Sequence, residues 1–231
     1  MKKFKVILTR SKKDGKRWEK ILKDKGLEVF CIPVQIYRFN KKDFELKENS
    51  IIVFTSTKGI YGFSKIKKDK NFDCVVLGER EEEKAKELGF NVIFKSDFPS
   101  SSNFLKKIIE NLPRDKKLIY PTSLIYNKEF EEGLKENGFD LDVLILYKPV
   151  KRKISKEEKK VIKNSTDIIF FSPSQVNNFF SQIKLDFLKH KNFWAIGEKT
   201  YNELKKITNC KKLNKPEPEE FLKEIFGRTY V

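Results

Sequence analysis

The sequence predicts an α/β protein of two similar parallel-sheet domains joined by two crossing strands. Three observations predict it. Short apolar runs alternate with segments of helical spacing along the chain, the pattern of strands joined by crossover helices. Four pairs of stretches recur in the same order, 112 to 119 residues apart. Several apolar runs end in a small cluster of Ser, Thr or Gly just where a helix should start.

The elements follow in order. "FKVILT" (4–9) is a short apolar run suited to a buried parallel strand. "GKRWEKILKDKG" (15–26) sets Trp18, Ile21 and Leu22 at helical spacing, with Gly26 as its C-terminal stop. "LEVFCIPV" (27–34) is the next strand, followed by "QIYRF" (35–39). "IIVFTSTKGIYGF" (51–63) and "IIFFSPSQVNNFF" (168–180) each read strand, hydroxyl cluster, helix. "CVVLGEREEEKAKEL" and "FWAIGEKTYNELKKI" repeat strand, glycine, helix. Ser101 or Ser102 is placed to cap "NFLKKIIENL", and Pro218 with Glu219 and Glu220 to open "FLKEIF". Each copy is expected to run strand, helix, strand, strand, helix, strand, helix, strand, helix. The repeat pairs Leu22 with Leu134, Gly26 with Gly138, Phe54 with Phe170, Ser56 with Ser172, Gly78 with Gly197 and Phe104 with Phe221. Such periodic self-similarity marks a tandem duplication.

A length of 231 residues, 39% hydrophobic, suits two ordinary domains with a core each. Charged residues make up 36% and the net charge is +17. That balance fits lysine on solvated faces, or an anionic partner. No apolar run reaches the length of a membrane span, and the N-terminal run is too short for a signal-peptide core. Cys31, Cys74 and Cys210 are dispersed, so they suit a reducing compartment, the cytoplasm, and no metal site. The single histidine, His190, lies among charged residues and is expected on the surface. With His190 read as a surface residue no Ser-His-Asp triad is expected, and one histidine cannot build a His-rich metal centre.

In open α/β sheets ligands bind beyond the carboxyl ends of strands. The first N–H groups of the helices there lack partners, and the helix dipole favours anions. Four loops bring hydroxyls or glycine to such points: Thr9–Ser11, Thr55–Thr57, Ser172–Ser174 and Gly197–Thr200. They are candidate carboxylate or phosphate binders, the bland alternative being helix caps that bind only their own backbone. None is a nucleotide fingerprint. The residues alone reach an anion binder of two α/β units, without a reaction.

The ordered set "LTR", "FTS", "LGE", "LYK", "FFSPS" and "AIGEKT" resembles the uroporphyrinogen-III synthase family over essentially the whole chain. The resemblance implies two α/β domains with a ligand cleft between them: residues 1–34 with 150–231, and 40–143, connected by 35–39 and 144–149. It implies a monomeric, cofactor-independent and metal-free lyase acting on hydroxymethylbilane, a linear tetrapyrrole rich in carboxylates. Ring closure would lose water and invert ring D. By the same resemblance Tyr147 would assist departure of the hydroxyl. Thr9, Arg10, Thr55, Ser56, Ser172, Ser174, Gly197, Lys199 and Thr200 would hold substrate.

Three stretches depart from the family pattern. Glu81 stands where a threonine is common, and a carboxylate facing a polyanion is unfavourable, so that loop is expected to be turned away or weak. "YPTS" (120–123) lacks the arginine and glycine often found there. "TSTKG" has Thr57 and Lys58 in place of proline and a polar residue. Two other classes compete: a two-lobed anion binder without chemistry, and a nucleic-acid binder. The second should carry a basic stripe interleaved with aromatics, whereas Lys is scattered among Glu in "EREEEKAKE" and "SKEEKK".

Overall fold

The computed structural model describes residues 4–40, 44–45, 49–67 and 72–227. In chain order the elements are β1 (Lys5–Leu8), α1 (Lys12–Asp24), β2 (Glu28–Cys31), β3 (Gln35–Phe39), β4 (Ile51–Phe54) and α2 (Thr57–Ile66). Then come β5 (Asp73–Val76), α3 (Glu79–Glu87), β6 (Asn91–Lys95), α4 (Ser101–Asn111), β7 (Leu118–Ser123) and α5 (Lys128–Glu136). The rest are β8 (Leu141–Lys151), α6 (Lys156–Lys163), β9 (Asp167–Phe170), α7 (Pro173–Phe180), β10 (Asn192–Ile196), α8 (Glu198–Lys205), β11 (Lys211–Leu213) and α9 (Pro218–Phe226). The chain divides into two compact units, residues 1–36 with 150–231 and residues 37–149. Among the described residues no helix is long and apolar enough to cross a membrane.

The first unit holds a five-stranded sheet in the order β11-β10-β9-β1-β2, with every pairing parallel. The second holds a six-stranded sheet, β3-β8-β7-β4-β5-β6, in which the pairings of β4 to β8 are parallel. This is the α/β class predicted from the alternation of elements.

Period-two alternation inside the strands explains why both faces need cover. Ile7, Ile168 and Phe170 point into one core with Val176 and Phe179 of α7. Their neighbours Val6, Leu8 and Ile169 point into the other, with Trp18 and Leu22 of α1 and Phe221 of α9. The second unit repeats the scheme. Ile51 and Val53 pack with Phe104 and Ile108 of α4, and Ile52 and Phe54 with Ile60 and Phe63 of α2.

The two copies are not identical in element order. Between the first helix and the strand that leads into the hydroxyl cluster, the first copy has two short strands, β2 and β3, parted at Pro33. The second copy has the single 11-residue strand β8 and then α6. The charged stretch "SKEEKK" thus forms a helix, because Ser155 and Glu158 close a capping box: each side chain accepts the other's backbone N–H. The expected cap of α4 also moves one residue back, since Ser100 rather than Ser101 or Ser102 accepts the Asn103 N–H. Gly26, in the left-handed region at φ 79°, follows Lys25, the C-cap of α1.

One buried charge is tied into the first sheet. Asp167, fully buried at the start of β9, accepts bonds from Trp194 Nε1 at 2.8 Å, Asn192 Nδ2 at 3.1 Å and Thr166 Oγ1 at 2.7 Å. Removing the carboxylate strands the buried indole N–H. Asp167→Ala is expected to destabilise the protein by about 3 kcal/mol, read as a lower urea midpoint. A change under half of that would show that these donors find other partners.

Candidate active site

In the second unit β4 runs into Thr55 and Ser56, and α2 begins at Thr57. Ser56 is extended (φ −157°, ψ 144°) and its Oγ accepts the Gly59 N–H at 3.0 Å, a helix N-cap. Gly59, in the first turn of α2, leaves no room for a side chain: a Cβ there would lie 2.5 Å from the Pro121 carbonyl oxygen of β7. That close approach brings α2 against the strand end, and with it the hydroxyls. Ser56 Oγ lies 2.9 Å from Tyr147 OH, and Thr55 Oγ1 lies 3.1 Å from Tyr120 OH.

Tyr147 sits on β8 and is 6% exposed. Tyr37 packs edge-on to its ring at 5.7 Å between centroids, and Phe39 packs at 5.6 Å. The Lys58 ammonium stands 4.6 Å from the Tyr37 ring centre, a cation–π contact. Burial among these rings pushes the Tyr147 phenol above its ordinary pKa, against the smaller opposing effect of the Ser56 hydrogen bond. The phenol is therefore a neutral hydrogen-bond donor at pH 7.

Glu81, in the first turn of α3, is half-buried. Burial raises its pKa, while the backbone at the starts of α3 and α2 and the charges of Arg80 and Lys58 act in the opposite direction.

In the first unit, Ser11 caps α1 and Ser172 caps α7. Ser172 Oγ lies 3.1 Å from Ser174 Oγ, which donates to Gln35 Oε1 at 2.8 Å. The Arg10 guanidinium stacks 3.8 Å from the Phe171 ring centre and donates to the Asp14 carbonyl. Gly197, in the left-handed region at φ 84°, begins α8 without a side-chain cap, and Lys199 is exposed beside it.

Two predicted binders face inward. Thr9 is fully buried, its hydroxyl 2.8 Å from both the Ile169 carbonyl and Gln175 Oε1. Gln175 in turn accepts the Phe171 N–H at 2.9 Å. Thr9 thus ties β1 to β9 and α7. Thr200 is 3% exposed in the first turn of α8. Ser56 with Tyr147 in the second unit, and Ser172 with Ser174 in the first, are the predicted residues that meet. Sequence reasoning missed Gln175, Tyr120 and Tyr37. Gln175 directly follows "SPS" and Tyr120 opens "YPTS", but their partners lie far along the chain. Among the described residues no group of three or more His, Cys, Asp or Glu is placed to hold a metal ion.

The fold and these strand-end hydroxyls define a two-unit parallel α/β protein with polar groups at its helix starts. The family profile described as uroporphyrinogen-III synthase HemD matches residues 16–220, and the chain belongs to that family, whose members are lyases of heme biosynthesis acting on a tetrapyrrole. No curated protein matches by sequence. The solved uroporphyrinogen-III synthetase of Helicobacter pylori 26695 is 16% identical, with a TM-score of 0.72 over 96% of this chain and 98% of that one. A mutant uroporphyrinogen III synthase of the extremely thermophilic bacterium Thermus thermophilus is 13% identical, with a TM-score of 0.54 over 97% and 98%. At such identities the likeness is one of fold.

The raised Tyr147 pKa has a testable sign. Between the unfolded value near 10 and the higher folded value, the unfolded chain releases a proton that the fold retains, so stability falls as pH rises. The contribution is fully present below pH 10. Tyr147→Phe should remove this component, so that wild type and variant converge or cross in urea stability above pH 10. A stability difference that stays constant from pH 8 to 11 would refute the assignment.

Proposed function

We propose that the protein cyclises hydroxymethylbilane to uroporphyrinogen III, with loss of water and inversion of ring D. Membership of the family supports the reaction, and the Ser56–Tyr147 hydroxyl pair is the observation in this chain that carries it. The spontaneous closure gives the symmetric isomer, so the enzyme's task is orientation and charge. The pyrrole carboxylates must be held so that ring D presents its substituted carbon, and the departing hydroxyl must be stabilised. A buried neutral phenol donates to that hydroxyl without being ionised at pH 7. Ser56 Oγ, already oriented by the Gly59 N–H, fixes the direction of the Tyr147 hydroxyl.

The carboxylates are assigned to Ser172, Ser174, Gly197 and Lys199 with Arg10 in the first unit. Their support is the helix starts that these residues open and the two cations among them. Thr55 and Ser56 line the corresponding start in the second unit. Thr9 and Thr200 act by holding these loops in place. The domains are assigned to residues 1–34 with 150–231 and to 40–143, with connectors at 35–39 and 144–149. The protein works in the cytoplasm as a monomer, without metal, cofactor or nucleic acid. Its three free cysteines suit a reducing compartment.

Tyr147→Phe should slow formation of the type III isomer about 10–100-fold, with residual product drifting to type I and the fold retained. An unchanged rate would remove Tyr147 from the chemistry. Wild-type protein that yields only type I product at the spontaneous rate would overturn the function itself. Exhaustive chelation should leave activity intact. Its loss, with recovery on adding one divalent ion, would overturn the metal-free reading.

A further inference from the structure

A cavity of about 410 Å³ opens on the first unit, away from its hydroxyl loops. It lies between the end of α6 and the stretch that follows α7. Those segments lead into β9 and β10, so the cavity sits at the amino ends of the strands, whereas the Ser172 and Gly197 loops follow the carboxyl ends. The four residues of β9 set the two ends about 13 Å apart.

The floor of the cavity is apolar. Ile162, Ile183 and Leu188 are buried there and belong to the core under α7. Phe187, on a 3₁₀ turn over Leu185–Leu188, joins the lining and is 61% exposed. Gln182, also in the lining, turns its amide to its own chain. Its Nε2 donates to the carbonyls of Arg152 and Asn178, and its Oε1 accepts the Ile154 N–H.

The remaining lining side chains are cations: Lys159, Lys160 and Lys163 of α6, and Lys184. All four are exposed, and none forms an ion pair among the described residues. The acids of α6 are committed elsewhere, Glu158 to Arg152 and Glu157 to Ser155 Oγ. Lysines near a helix end often serve the helix dipole. Here Lys191 already does so, its Nζ donating to the Lys163 carbonyl at 2.8 Å and to the Ser165 carbonyl. A ligand entering the cavity therefore meets hydrocarbon beneath it, four ammonium groups around it and no carboxylate in the lining.

We propose that this cavity is a second binding site, for a small amphipathic anion: an apolar body the size of a short acyl chain or one or two rings, carrying a carboxylate or phosphate. The volume falls at the lower end of small-molecule sites, about 300–1,000 Å³, which suits one such body. Lysine acts as a point charge without bidentate geometry, so the head group is selected by its charge. The site shares no residue with the tetrapyrrole site and does not depend on that reading.

Octanoate is the probe and 1-octanol its uncharged counterpart. Each is titrated into the full chain, and the methyl signals of Ile162 and Ile183 are followed by NMR. Octanoate should shift both signals saturably and bind about tenfold more tightly than 1-octanol at low salt, with the margin shrinking as salt is added. Lys160→Gln with Lys163→Gln should weaken octanoate about fivefold and leave 1-octanol nearly unchanged. The urea midpoint and the turnover of hydroxymethylbilane should be kept. Phe187→Ser should weaken both ligands. Equal binding of the two ligands by wild type, or octanoate binding that the lysine pair does not alter, would overturn the anion site. Isoleucine signals that neither ligand moves would overturn the cavity as a site. Protein that ignores octanoate but sediments with phosphatidylglycerol vesicles, and loses that with Phe187→Ser, would replace the small-molecule site with a membrane-facing patch.

Discussion

The central strands of both sheets are buried on both faces, and the rest of the molecule follows from that constraint. Val6, Ile7 and Leu8 of β1 have no exposed surface, nor have Ile52, Val53 and Phe54 of β4. Such strands have no solvated face on which to carry polar groups, so polar chemistry is confined to their ends. There the chain must also satisfy the unpaired N–H groups of the next helix. The hydroxyls at Ser11, Ser56 and Ser172 answer that local need, each accepting a backbone N–H of its own helix. Placement beside the carboxyl ends of the strands then gives the same atoms their second use.

Duplication carried this arrangement into both units, and divergence gave each a different companion. Ser56 meets a phenol, Tyr147, whereas its counterpart Ser172 meets another serine and, through it, Gln35. The difference traces to β8, an 11-residue strand that passes beside β7 and delivers Tyr147 to the end of β4. The corresponding stretch of the first copy is broken at Pro33 and contributes Gln35 instead.

What could be read in the sequence was whatever depends on neighbours in the chain. Periodicity exposed the strands, and Ser56 and Ser172 announced their helices within three residues. Contacts between distant residues were not legible. Tyr147 and Ser56 are 91 positions apart, and Thr9 and Gln175 are 166 apart. Nothing local distinguishes a threonine that binds a ligand from one that ties two strands together, so Thr9 read as a candidate binder, and it is fully buried. The capping box of α6 was written in plain view as "SKEE", but the stretch was read only for its mixed charge. Polar content alone does not prevent a helix when Val161 and Ile162 supply an inner face.

The same burial that shapes the sheets also sets the protonation of the two groups nearest the α2 start, and in the same direction. Desolvation raises both the Tyr147 phenol and the Glu81 carboxyl. The consequences are opposite because their ordinary values lie on opposite sides of neutrality. For Tyr147 the shift makes an already neutral donor harder to ionise, so it can hydrogen-bond to a leaving hydroxyl without acquiring charge. For Glu81 the shift makes the ionised form costlier to hold, and the backbone at the starts of α2 and α3 together with the charges of Arg80 and Lys58 offsets part of that cost.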